Sequence, residues 1–77
     1  MGFMMQIRPE VLKKIREDYP VGCTVEVVHL CDPYRDVPPG TRGKVIAVDD
    51  TGTRHCQFEN GVSLGALWGI DEVRRID

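Results

Sequence analysis

Seventy-seven residues, 42% of them hydrophobic and 29% charged, suit one small globular domain and are too apolar for a disordered chain. A chain this short buries only ~60% of its unfolded surface, which leaves little room for both a core and a deep substrate cleft. The formal net charge of −2 lacks the surplus of Lys and Arg that phosphate contacts demand, and no apolar run approaches the ~20 residues needed to cross a bilayer.

The opening Met1-Gly2-Phe3-Met4-Met5 is short and has no basic start, so it does not read as a signal peptide. Gly2 follows Met1, but Ile7 stands where a myristoylation signal has Ser or Thr. Three cysteines, Cys23, Cys31 and Cys56, are an odd set and read as free thiols in a reducing compartment. A cytoplasmic location with no membrane partner is expected.

Taken in chain order, residues 1–7 form a tail and residues 8–19 predict a helix. Pro9 suits the first helical position, Glu10 lies near the positive end, and Val11, Leu12, Ile15 and Tyr19 make one apolar stripe. Pro20 stops the helix near Asp18 or Tyr19, because the residue before proline avoids helical geometry. A helix this short needs something to pack on. The period then changes to two. Residues 23–30 predict a strand with Cys23, Val25 and Val27 on one face. Pro33, Pro38, Pro39 and Gly40 make residues 31–40 a long loop. Further strands follow at 43–48, 54–58 and 62–64, joined by the Asp49-Asp50-Thr51-Gly52 and Asn60-Gly61 turns. Residues 65–69 read as irregular, and 73–76 as a closing strand. The expected fold is mainly β: a small five-stranded SH3-like barrel over residues 20–77, preceded by one short helix. Its expected core is Leu12, Ile15, Val25, Val27, Val45, Ala47, Phe58, Leu64 and Ile76, with Val48 and Ile46 taking the inward face if a bulge shifts the register.

Gly22 and the run Pro39-Gly40-Thr41-Arg42-Gly43-Lys44-Val45-Ile46-Ala47-Val48 resemble SH3-like barrels of the KOW kind, in which a glycine-bearing turn leads into a Gly-x-Val strand. Tyr19-Pro20-Val21-Gly22, Asp32-Pro33-Tyr34, Pro38-Pro39-Gly40-Thr41-Arg42-Gly43, Val48-Asp49-Asp50 and Glu59-Asn60-Gly61 make nearly the whole chain similar to a family of short bacterial and phage proteins, domain of unknown function 4314. Phe58-Glu59-Asn60-Gly61 stands where that pattern leads one to expect Trp-Asp-Asn-Gly. The resemblance implies a barrel and a phage or mobile-element setting, and no activity.

Cys23, His29, Cys31, His55 and Cys56 lack the paired spacing of a closed zinc site: His29 and Cys31 share a strand face, but His55 and Cys56 point apart. No geometry fixes a Cys–His nucleophile. The pairs Asp32/Asp36 and Asp49/Asp50 lack calcium-loop spacing, and Asp49-Asp50-Thr51-Gly52 reads as a turn. We therefore expect no enzyme, metal or cofactor, and a binding domain for a protein partner. Its expected surface is the 31–40 loop beside the 42–44 strand entry, with Tyr34, Arg35, Arg42, Lys44 and Trp68 as binding residues. The alternative is a KOW-like nucleic-acid-binding domain using Arg35, Arg42, Lys44 and Arg54.

Overall fold

The computed structural model describes residues 7–31 and 37–77. It is mainly β: helix α1 (Pro9–Asp18) precedes strands β1 (Thr24–His29), β2 (Arg42–Val48), β3 (Arg54–Phe58), β4 (Ser63–Ala66) and β5 (Glu72–Arg75). All pairings are antiparallel, in the order β4-β3-β2-β1-β5. That order forces curvature. Strands β4 and β5 occupy opposite edges, yet only residues 67–71 join them. A flat sheet would hold those edges about 19 Å apart, near the full reach of such a link. The link is not extended: Asp71 N–H donates back to the Leu67 carbonyl at 2.9 Å. The sheet must therefore curl until its edges approach.

Inside the curl lie Cys23, Val25, Val27, Val37, Val45, Cys56, Phe58, Ala66 and Val73. Alternation explains β3, where every second residue from Arg54 faces inward, and β1 from Cys23 to Val27, after which a register shift against β5 leaves His29 exposed. It fails once in β2. Val45 pairs with Cys56, but Ala47 pairs with His55, because a bulge falls between them. Ala47 is consequently exposed with Ile46, and Val48 turns toward the core. Ile76 also departs from the expected core. Val73 holds the inward position of β5, and three residues later the parity has reversed, leaving Ile76 at the surface. Leu12 and Leu64 are half-buried. Strand β4 continues through Gly65 to Ala66, where irregular chain was expected.

Helix α1 closes one end of the curl. Ile15 is fully buried, Tyr19 Oη donates to the Val73 carbonyl at 3.0 Å, and Arg16 reaches the Val48 carbonyl and Asp50. Gly52 makes this docking possible. It has φ +80°, and a Cβ there would lie 2.5 Å from Ile7 Cδ1 and 3.1 Å from Ile15 Cδ1. No described helix is long and apolar enough to cross a membrane.

The β2–β3 turn is tied by one carboxylate. Asp49 Oδ1 accepts from Thr51 N, Thr51 Oγ1 and Thr53 N at 2.9, 2.6 and 3.1 Å, while Oδ2 meets His55 Nε2 at 2.9 Å. The Thr51 hydroxyl first, then His55 and the two backbone donors, holds the Asp49 carboxyl down from an ordinary 3.8 to about 2. The unfolded chain therefore binds more protons in acid, so this contribution is complete above about pH 5 and is lost as the pH falls toward 2. Glu26 and Asp77 are lowered as well and act in the same direction. Thermal melts from pH 5 to pH 2 should show wild-type stability falling, and Asp49→Asn should fall less over the same range. Equal slopes would show that the turn carboxylate is not responsible.

Candidate functional site

Arg54 opens β3 on the same face as Cys56 and Phe58, so alternation carries a guanidinium into the interior. It is only 2% exposed. Burying a charge costs several kcal/mol unless polar partners replace water. Here Nη2 donates to the Asp71 carbonyl at 3.1 Å and the Ala66 carbonyl at 3.4 Å, and the guanidinium carbon lies 5.1 Å from the Tyr19 ring centroid and 5.3 Å from that of Trp68. Both rings are within cation–π range. Among the described residues no carboxylate pairs with Arg54, and its Nε has no hydrogen-bond partner. This one side chain touches the end of α1, the end of β4, the β4–β5 link and the approach to β5.

The link itself is a built turn. Asp71 Oδ2 accepts from Leu67 N at 3.0 Å, and Asp71 Oδ1 accepts from Cys31 N at 2.8 Å. Cys31 Sγ donates to the Ile70 carbonyl at 3.3 Å and lies 3.6 Å from His29 Nε2. The start of the 31–40 loop is thereby fastened to the turn. Yet the turn leaves its apolar side chains in solvent: Leu67 is 45%, Trp68 39% and Ile70 45% exposed. A cavity of about 410 Å³ opens beside them, lined by Tyr19, His29, Arg54, Trp68, Asp71 and Glu72 among others.

Arg42 and Lys44 lie on the outer face of the sheet, beside a second concavity of about 480 Å³ that also includes Thr24, Gln57, Phe58 and Glu59. Gly43 lets β2 approach β3 there, since a Cβ would sit 2.6 Å from the Gln57 carbonyl oxygen. The basic character of this face is reduced. Glu26 pairs with Arg74 at 2.9 Å and with Arg42 at 3.5 Å across β5, β1 and β2, and the two arginines hold its carboxyl below the usual range, Arg74 foremost.

Of the binding residues expected from the sequence, Trp68 stands at the first cavity and Arg42 and Lys44 at the second. Tyr34 and Arg35 lie outside the described residues, as do Asp32 and Asp36. Arg54, grouped with the nucleic-acid contacts, is buried and stands at the first cavity rather than on the outer face with Arg42 and Lys44. His29 and Cys31 do meet, while Cys56 is fully buried and His55 half-buried on the opposite side of β3. Among the described residues no three His, Cys, Asp or Glu side chains converge as a metal site. Asp71 was missed altogether, because its two backbone partners are 4 and 40 residues away.

The family model described as Domain of unknown function (DUF4314) matches residues 8–76. The chain belongs to that family. No match was found among curated proteins or among solved structures. The matched span starts one residue before α1 and contains Arg54 and the Tyr19, Ala66, Trp68 and Asp71 groups that form a cradle around it.

The cysteines offer a direct check on this geometry. Burial pushes the Cys56 thiol up to about 11 and raises that of Cys23, whereas Cys31 is exposed. Thiolates are the reactive form. Brief iodoacetamide treatment of folded protein should add one adduct, at Cys31, with all three cysteines modified only after denaturation. Early modification of Cys23 or Cys56 would contradict the buried placement.

Proposed function

We propose that this chain is a non-catalytic binding domain that recognises a protein partner through the 67–71 turn and the adjoining start of the 31–40 loop. The observation that carries the reading is the contrast within the turn. Its backbone is fastened by Asp71 and Cys31, while Leu67, Trp68 and Ile70 remain substantially exposed. Single exposed apolar residues are ordinary, but three within four positions on a pre-formed turn make a patch. Tryptophan at the centre of such a patch is a frequent binding anchor, and a turn already ordered loses little entropy on association. The strand order and the curled sheet support an SH3-like barrel as the scaffold. The family resemblance adds a phage or mobile-element setting.

Nucleic-acid binding is the competing reading, and Lys44 and Arg42 on the outer face favour it. Two observations weigh against it. Arg54 is withdrawn into the interior, and Glu26 already engages Arg42 and Arg74.

The test compares wild-type protein with the double variant Leu67→Ser/Ile70→Ser, each immobilised and exposed to native-host lysate. Both should fold and melt within a few degrees of each other, since Leu67 and Ile70 are exposed rather than core residues. A specific protein held by wild type should be absent from the variant. If instead the two retain the same proteins, and Lys44→Ala abolishes a salt-sensitive retention of DNA or RNA, the outer face is the working surface.

A further inference from the structure

Resting on the reading above, we propose that the cavity beside Arg54 receives an acidic side chain, Asp or Glu, from the protein partner. The argument begins with an imbalance of charge. A guanidinium keeps its charge in proteins, and a buried one is normally met by a carboxylate. Arg54 is 2% exposed and, among the described residues, meets only two carbonyl oxygens and two aromatic rings. Its Nε, fully buried, has no acceptor. The same side chain lines a cavity of about 410 Å³ whose apolar rim is Trp68 and Ile70. The site thus offers an unmatched cation in a low-dielectric setting, where a carboxylate gains most from it.

Among the described residues, the neighbouring charges do not supply that partner. Asp71 has one oxygen committed to Leu67 N and the other to Cys31 N. Glu72 is exposed and stands across from His29 in the β1–β5 pairing. Arg74, on the same rim, is engaged by Glu26. The two ring faces cover the guanidinium from the sides of Tyr19 and Trp68, so an incoming carboxylate reaches its edge as Trp68 yields. Trp68 is 39% exposed and belongs to the turn, so it can respond to an occupant. The recognised chemistry is an acid flanked by apolar residues: the acid for Arg54, the flanks for Leu67, Trp68 and Ile70. This goes beyond apolar docking because it assigns sign and specificity to the contact.

The experiment uses the intact wild-type chain, which avoids any question of whether an Arg54 variant folds. Arg54 Nε–Hε gives its own resonance in a nitrogen–proton correlation spectrum, and Trp68 is the single tryptophan of the chain, so its fluorescence is an independent reporter. Three blocked peptides are titrated: acetyl-Leu-Asp-Leu-amide, its neutral isostere acetyl-Leu-Asn-Leu-amide, and acetyl-Leu-Leu with a free C-terminal carboxylate. The Asp peptide should shift the Arg54 Nε–Hε signal and the Trp68 emission together and saturably. The Asn peptide should bind at least about tenfold more weakly, the difference expected for a hydrogen bond to a charged group. Equal responses to Asp and Asn peptides, or no movement of the Arg54 signal with any peptide, would overturn the assignment. A response to the C-terminal carboxylate alone would overturn the side-chain assignment. These failures are separable from failure of the docking reading, which would appear as unchanged protein retention by Leu67→Ser/Ile70→Ser.

Discussion

Arg54 brings a full charge into a chain too small to hide it cheaply, and the architecture around it follows from that requirement. Water must be replaced on every side of the guanidinium. Two carbonyls from opposite ends of the β4–β5 link take one nitrogen, and two rings take the faces. Three of those four groups fall within residues 66–71, and the fourth comes from the far end of the helix. Tyr19 ends the helix, Ala66 ends one sheet edge, Asp71 precedes the other edge, and Trp68 lies between them. Holding Arg54 therefore draws the two edges together and fixes where α1 sits. Desolvated cation–π contacts are worth about 2 kcal/mol each and charged hydrogen bonds about 1.5–3, enough to offset much of the burial cost.

The proposed binding surface is a by-product of the same arrangement. To place its ring over Arg54, Trp68 must sit in a tight turn, and that turn is completed by Asp71 reaching back to Leu67 and out to Cys31. The inner side of the turn serves the fold, and its outer side is left apolar and exposed. Stability and the proposed recognition thus share residues. The Glu26 bridge plays a different role on the outer face, where it binds two arginines to each other across three strands and lowers the positive potential that a phosphate backbone would seek.

Much of this was open to reading in the amino-acid sequence, and the exceptions have physical causes. The helix ends where Pro20 requires, β3 covers the residues its alternation marks, and Asn60-Gly61 turns the β3–β4 hairpin. Alternation counted one step further back from Cys56 and Phe58 would also have placed Arg54 inward, but a charge reads as surface when its partners are unknown. Ala47 was misplaced because a bulge is a property of the paired strands rather than of either one. Val37 is buried although it lies in a proline-rich loop, where no periodicity exists to reveal an inward face. The meeting of Cys31 with Asp71 depends on the sheet's curl, which only the strand order discloses.

The thermal stability of Arg54→Lys tests the central claim most directly. Lysine keeps the charge but has neither the flat face for Tyr19 and Trp68 nor the fork for two carbonyls. If stacking and forked hydrogen bonding hold the fold together, the variant should melt about 5–15 °C lower, corresponding to a loss of roughly 1–2 kcal/mol in a domain of this size. A melting temperature equal to wild type would show that charge alone suffices and that the cradle described here does not organise the structure.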